Sequence, residues 1–379
     1  MVAPRCRILG MILPEIQRKP TRAIKVGSVT IGGDAPVSVQ SMTNTRTADA
    51  GATIAQVLSL VKAGAELVRV AVPTREDTAA LRQIVAASPV PIVADVHFHF
   101  DRALESIDAG VAKIRLNPGN IGDREQVRRV IAAAADAGVA IRVGVNEGSI
   151  VDRSDTARRE EELSRPLVDL MADKLGEYLE IFHEANFHNL VLSAKSHDAV
   201  TCVAAYRELA RRWDYPLHLG VTHAGTMQTG SIRSAAALGA LLAEGIGDTI
   251  RISFAGDPVN EVKAGLELLY SLRLRQRRGL ELIACPTCGR LQTDIVPIIE
   301  QVQAALADVV EPITVAVMGC VVNGPGEAQS ADVAVCAGAG KAILYRRGEK
   351  LRTVAAGDIA SAVLEEVKKV LREKQAKRI

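Results

Sequence analysis

Four of the six cysteines lie beyond residue 284. Cys285-Pro-Thr-Cys288 puts two thiols on one turn. Thirty-one residues separate Cys288 from Cys320, which stands in Gly319-Cys320-Val-Val-Asn323-Gly324-Pro325-Gly326-Glu327. Zinc, redox and iron–sulfur sites all use a C-x2-C turn. Three thiolates can hold three corners of a cubane cluster. The fourth ligand is then Cys336, closing an all-thiolate site, or Glu327, a harder oxygen ligand that is more easily displaced. The Asn-Gly-Pro-Gly segment is a tight turn able to fold Glu327 back toward Cys320. On spacing alone, zinc and iron–sulfur both stand. Cys6 and Cys202 have no partner at ligand spacing and read as ordinary side chains.

A second set of residues is dispersed: Arg69, Asp95, Arg115, Asn117, Arg142, Asn146, Lys195, Arg251 and Ser253, with His97 and His99 as an H-x-H pair. The elements that carry them show how they gather. Short β-branched runs are expected at 37–42, 67–72, 91–98, 112–117, 140–146, 189–195, 217–222 and 249–254. Ala/Leu-rich segments with helical spacing follow them, at 54–63, 75–86, 102–109, 124–137, 166–185, 197–212, 231–243 and 258–274. Several close on Ala-Gly or Gly, as helix C-termini do. Eight strand–helix repeats over about 250 residues are the arithmetic of a (β/α)8 barrel. A doubly wound sheet is the rival, but no GxGxxG follows the first strand. Residues 18–36 read as a hairpin ahead of the barrel, and 146–165 as a long charged loop at its mouth, with a lid as one reading.

In a barrel, residues of alternate parity point inward, and the C-terminal strand ends carry the chemistry. Parity puts Arg69, Asp95, His97, Arg115, Asn117, Arg142, Asn146, Ser193, Lys195, Arg251 and Ser253 on the inner face. Five clustered cations repel one another and are costly to desolvate, and Asp95 is the one obvious counter-charge. A compact diphosphate or bisphosphate would resolve the conflict, and Arg forks match phosphate oxygens. Lys195 as a Schiff-base lysine stays open. The surrounding cations argue against zinc on His97 and His99. His97 is expected to touch substrate or move protons, and His99 to pack or meet solvent. His183, His188 and His218 are expected to be structural or exposed.

After Leu274 the basic run 275–278 reads as a linker to a smaller α+β unit. The expected division is 1–278, a substrate-binding barrel with its hairpin, and 279–379, a cluster-binding domain. The smaller unit should hold the CPTC turn, a helix near 294–306, a strand near 312–317, two strands near Val333 and Ile343, and a C-terminal helix from Gly357.

The segments CPTCGR, MGCVVNGPGE, QSMTNT, RLNPGN, LSAKSHD, HLGVTHAG and EGIGDTIRIS together resemble the bacterial 4-hydroxy-3-methylbut-2-enyl diphosphate synthase family of the non-mevalonate isoprenoid pathway. The resemblance runs from about residue 18 to 375. It implies reductive ring opening of 2-C-methyl-D-erythritol 2,4-cyclodiphosphate. It implies a [4Fe–4S] cluster on Cys285, Cys288, Cys320 and Glu327, and flavodoxin or ferredoxin as electron donor. It implies substrate contacts from Arg69, Arg115, Asn117, Arg142, Asn146, Lys195, Arg251, Ser253 and Asn323. It also implies a homodimer in which the cluster domain of one chain faces the barrel of the other. In one place the chain departs from the family. Thr222-His223-Ala224-Gly225 stands where the family usually reads T-E-A-G, so His223, Glu147, His97 or a water is the proton donor.

Composition bounds the alternatives. Hydrophobic residues are 48% and charged residues 24%, the balance of a globular chain rather than a disordered one. No run of about 18 apolar residues suggests a spanning helix. A net charge of +2 and 3% aromatics argue against nucleic-acid binding. The cysteine usage and the absence of a secretory signal point to a reduced, cytoplasmic protein. The main rival function is a non-redox phosphate-binding barrel with a structural zinc module on Cys285, Cys288, Cys320 and Cys336.

Overall fold

The computed structural model describes the chain except residues 1–6, 9–10, 13, 97–98, 117–123, 151–161, 223–224, 321–325, 327 and 377–379. The chain divides into two compact units, Ile16–Arg275 and Gln276–Ile379, with Met1–Glu15 grouped with the second.

The larger unit opens with a hairpin, β1 (Ile24–Val26) and β2 (Val29–Ile31). Strands and helices then alternate. They are β3 (Ser38–Met42), α1 (Ala50–Ala63), β4 (Leu67–Ala71), α2 (Arg75–Ala87), β5 (Ile92–Asp95), α3 (Phe100–Asp108), β6 (Lys113–Leu116) and α4 (Arg124–Ala137). The second half holds β7 (Ala140–Asn146), α5 (Leu167–Glu184), β8 (Leu190–Lys195), α6 (Ala199–Arg212), β9 (His218–Leu219), α7 (Met227–Ala243), β10 (Thr249–Ile250) and α8 (Pro258–Ser271). Neighbours pair in parallel in the order β8-β7-β6-β5-β4-β3-β10-β9. A parallel bridge between Leu192 and Leu217 joins the two ends, with Leu192 N–H donating to Pro216 O at 2.9 Å. The barrel is therefore closed, as expected.

Local chemistry sets the helix ends. Asp49, Asp198 and Asp257 cap α1, α6 and α8, and Thr74 with Asp77 forms a reciprocal capping box on α2. Gly64 ends α1 at φ 107, where an added Cβ would meet Leu266 at 2.7 Å, so glycine is required there twice over. Outward strand residues such as Val68, Val70, Ile114, Leu116, Ile141 and Val143 pack against the helices in one core. Each such side chain contributes about 1.5–3 kcal/mol on burial. The inner parity behaves differently. At the barrel floor Leu67, Val93, Ala140 and Val191 pack on Ile24, Val26 and Ile31 of the hairpin. The hairpin is thus a plug.

The smaller unit is a five-stranded sheet, β11 (Leu280–Ala284), β12 (Ile313–Met318), β13 (Val333–Ala337), β14 (Lys341–Arg346) and β15 (Glu349–Ala355). The first three strands are parallel and the last two antiparallel. Helices α9 (Val296–Ala305) and α10 (Ile359–Ala376) cover one face, with Val302, Val315, Val335, Leu344, Val363 and Val367 between them. Two strands escape the sequence reading. β11 is a half-buried edge strand directly after a basic run, and β15 is an edge strand buried only at Val354. Neither shows the alternation that a one-sided strand should.

Candidate active site and candidate metal centre

Following the paired register around the barrel puts side chains from alternate strands on common levels. Leu67, Lys113, Val191 and Thr249 share one level. Gln40, Val93, Arg142 and His218 lie above it. Arg69, Arg115, Ser193 and Arg251 come next. Asp95, Gly144 and Gly220 follow, and then Lys195 and Ser253 at the mouth. The site is a column of charge on an apolar floor.

The cations are deeply buried: Arg69 is 8% exposed, Arg115 5%, Arg142 3% and Lys195 6%. Arg251 is half-buried. Asp95 reaches two of them, Arg69 Nε at 3.5 Å and Arg115 Nη1 at 3.4 Å. Arg69 also donates to Met42 Sδ at 2.9 and 3.1 Å. Glu261 on α8 reaches Arg251 Nη2 at 3.3 Å and accepts the Phe254 N–H at 3.0 Å. With its amide oriented to suit its neighbours, Asn146 Oδ1 accepts from Arg115 Nη2 at 3.2 Å. Arg142 Nε and Nη1 meet no hydrogen-bond acceptor among the described residues.

This crowding shows in the ionisation of the groups. Burial first, then Arg69 and Arg115, hold Arg142 well below the usual guanidinium range. Burial, and then Arg142, Arg69, Arg251 and Arg115, push the Lys195 amine far down. Burial and then Arg69 lower Arg251 to about 10. A bound anion would relieve this mutual depression of ionisation. Two glycines leave room for the side chains of Lys195 and Ser193. An added Cβ at Gly220 would meet Lys195 Nζ at 2.8 Å, and one at Gly144 would meet Ser193 Oγ at 2.1 Å.

Parity thus gathers Arg69, Asp95, Arg115, Arg142, Asn146, Lys195, Arg251 and Ser253 around one column, as the register shows. His97, Asn117, His223 and Asn323 lie outside the described residues. His99 is exposed before α3. Glu147 accepts Ser196 Oγ at 2.6 Å and His197 Nδ1 at 2.9 Å. The Ser196 hydrogen bond, against a smaller opposing effect of burial, holds Glu147 below the usual carboxylate range. Much of the 146–165 loop, residues 151–161, lies outside the description. Its far end is anchored by Glu162, which pairs with Lys174 at 2.7 Å.

Sequence reasoning missed three parts of the site. Lys113 and His218 were available by parity, two residues below Arg115 and Gly220. His218 is fully buried inside the barrel. Glu261 comes from a helix, and no strand pattern reveals it.

In the smaller unit Cys285 follows β11 and Cys320 follows β12, so adjacent parallel strands deliver both thiols to one end of the sheet. Cys285 N–H donates to Val317 O at 3.3 Å, and Gly319 N–H donates to Cys285 Sγ at 3.2 Å. The CPTCGR turn folds back through Gln292 N–H to Gly319 O at 3.0 Å. Cys288 is exposed, and hydrogen bonds from the backbone and side chain of Arg290 hold its thiol below the ordinary range. Among the described residues no three His, Cys, Asp or Glu side chains form a ligand cage, and Glu327 lies outside them. The donor set nonetheless fits an iron–sulfur cluster: soft thiolates, one with an N–H···S bond and one acidified. Cys336 is fully buried in β13 among Ala316, Met318 and Tyr345. Cys202 is buried beside Gly220 O at 3.8 Å, and burial pushes its thiol up to about 11. That matches its reading as an ordinary side chain.

Among the described residues no helix is long and apolar enough to cross a membrane. Residues 21–266 match the GcpE TIM-barrel domain, and residues 281–369 match the GcpE protein C-terminal domain. A Geobacter sulfurreducens protein named 4-hydroxy-3-methylbut-2-en-1-yl diphosphate synthase (flavodoxin) is 49% identical, over 93% of this chain and 99% of that protein. A protein of the same name from Acidithiobacillus ferrooxidans is 44% identical, over 96% of this chain and 98% of its own length. A Streptomyces avermitilis protein with that name and the suffix 1 is 46% identical, over 95% and 92%. With both domains matched and relatives this similar over nearly their full length, the chain belongs to the GcpE family, the family of these 4-hydroxy-3-methylbut-2-en-1-yl diphosphate synthases.

Proposed function

We propose that this enzyme converts 2-C-methyl-D-erythritol 2,4-cyclodiphosphate into 4-hydroxy-3-methylbut-2-enyl diphosphate. Two electrons and two protons enter, a ring carbon–oxygen bond breaks, and one hydroxyl leaves as water. The observation that carries the reading is the column of buried and half-buried cations, Arg69, Arg115, Arg142, Lys195 and Arg251, faced by the carboxylates of Asp95 and Glu261. Such an excess of positive charge suits a cyclic diphosphate, whose oxygens replace the lost water.

Arg69 and Arg115 are oriented by Asp95, and Arg251 by Glu261, so their forks are set before the ligand arrives. Arg142 rises from the level below with two donor atoms that have no partner among the described residues. Lys195 closes the column over Gly220. Asn117, Asn146, Ser253 and Asn323 complete the expected contacts.

Cys285, Cys288, Cys320 and Glu327 are the residues that would hold a [4Fe–4S] cluster. When bound, it supplies electrons singly, and its one oxygen ligand is the easiest to displace. Flavodoxin, named for the relatives, or ferredoxin serves as donor. Glu147 already accepts from Ser196 and His197 and is held as a carboxylate, which favours His223 or His97 over it as proton donor. The chain acts in the cytoplasm as a homodimer, each barrel served by its partner's cluster domain.

The experiment is anaerobic absorption spectroscopy with iron and sulfide analysis, on the full chain and on Glu327→Ala. The expected result is a brown protein with about four irons per chain, and a variant that keeps colour but loses turnover. A colourless protein with one zinc, prepared anaerobically with iron supplied, would refute the redox reading.

A further inference from the structure

Beneath the arginine level lies a second polar group with no part in the function so far. Lys113 on β6 is fully buried, and its Nζ has no hydrogen-bond partner among the described residues. Around it the buried atoms Ser38 Oγ, Gln40 Oε1 and Nε2, Thr249 Oγ1 and both ring nitrogens of His218 are equally unpartnered. Buried polar atoms are nearly always satisfied, so this concentration needs an explanation. Ordered water supplies partners for the uncharged groups. It does not supply a counter-charge.

The charges facing Lys113 are nearly all of its own sign. Arg142 comes from β7, Arg69 from β4 and Arg115 from β6 itself. Arg251 after β10 stands level with Arg69 and Arg115, Lys195 on β8 lies nearer the mouth, the His218 ring on β9 is held uncharged by burial, and among the described residues Asp95 on β5 and Glu261 on α8 are the opposing groups. The hairpin closes the space below with Ile24, Val26 and Ile31. Such a placement favours the neutral amine, which needs no counter-ion and still offers a lone pair to water. Burial, followed by Arg142 and Arg69, drives the Lys113 amine well below its ordinary range.

Lys113 lies one turn of the pleat below Arg115, about 6.5 Å along the strand. An anion held by the arginines offsets their repulsion there. We propose that Lys113 is an anion-coupled proton site, neutral in the empty barrel and protonated from solvent when a diphosphate occupies the arginine level. The coupling rests on the reading of the column as a diphosphate site. It gives that site a charge reserve: the ligand draws one more cation beneath itself, without a permanent sixth cation in the empty enzyme.

Two measurements on the full chain and on Lys113→Met test this. Methionine keeps the stem volume and removes no ion pair, so the variant should fold. In the free protein at pH 8, carbon-13 NMR of labelled lysine ε-carbons should show a neutral lysine that disappears in Lys113→Met. A charged Lys113 in the free protein overturns the proposal. Calorimetric titration with inorganic pyrophosphate, repeated in buffers of different ionisation enthalpy, should show uptake of about one proton per site. That uptake should be lost in Lys113→Met. Binding without uptake overturns the coupling and leaves the diphosphate reading intact. Uptake that survives in Lys113→Met and disappears in Lys195→Met gives the proton to Lys195 and also overturns it. No pyrophosphate binding by the wild type defeats both the site reading and the coupling.

Discussion

Arg142 is 3% exposed on a seven-residue strand, fixed by paired strands on both sides. Cys288 is exposed on a turn, with local hydrogen bonds from Arg290. Both are expected to hold a charged ligand, and the fold prepares them differently. The barrel's cations are positioned by strand register before any ligand arrives, and their mutual repulsion is a cost borne by the folded state. The thiols come from turns beyond strand ends and are held by local hydrogen bonds rather than by strand pairing on both sides. For thiolate sites this is ordinary, since metal binding and local ordering are one event. Preorganisation suits a substrate that must come and go. A resident cofactor can assemble its own cradle.

The contrast can be broken most severely at the thiols. Cys320→Ala should abolish the visible absorption and lower turnover at least ~10³-fold. Pyrophosphate binding to the barrel should be unchanged in the same variant, by calorimetry. A matching loss of pyrophosphate binding would show that the two sites are not separately built.

Arg142→Met should do the reverse. Its kcat/KM should fall about 10²-fold, roughly 2.7 kcal/mol. Iron content should stay normal. Folding stability should rise by about 1–3 kcal/mol in urea denaturation, because an uncompensated buried charge is replaced by an apolar stem. A destabilised variant would mean that Arg142 is satisfied by groups outside the described residues.

A pH series sharpens the same point. Lys113 and Lys195 titrate well below their ordinary value when folded. In the unfolded chain they titrate near about 10.4. Between those limits the unfolded state binds more protons, so stability rises with pH. The ligand-free barrel should therefore gain stability as pH rises through the alkaline range toward about 10.4. Saturating pyrophosphate should flatten the slope. A slope unchanged by ligand would separate the lysines from the anion site.

The smallest effect is expected at Cys336. It lies inside β13 within an apolar cluster. Cys336→Ala should cost about 1 kcal/mol of stability from the lost packing and leave metal content unchanged. Loss of metal in this variant would favour the four-thiolate arrangement with zinc.

Much of this protein was legible along the chain. Repeated β-branched runs, Ala-Gly helix ends and inner-face parity point to the barrel and gather Arg69, Arg115, Arg142, Lys195 and Arg251 on its inner face. These are local properties: a side chain's face is fixed by its place in a period of two, and a helix end by its caps. The CPTC and MGCVVNGPGE segments likewise carry their chemistry in their own spacing. Other features had no local signal. β11 and β15 owe their existence to neighbours in the sheet, since edge strands need not alternate. Glu261 becomes the partner of Arg251 because α8 packs beside the eighth strand. Lys113 and His218 share the parity of the site, but parity says nothing of depth. Their level is set by the shear of the closed barrel, which exists once all eight strands pair. Sequence determined which residues face inward, and closure decided how deep each one lies and which charges it must bear.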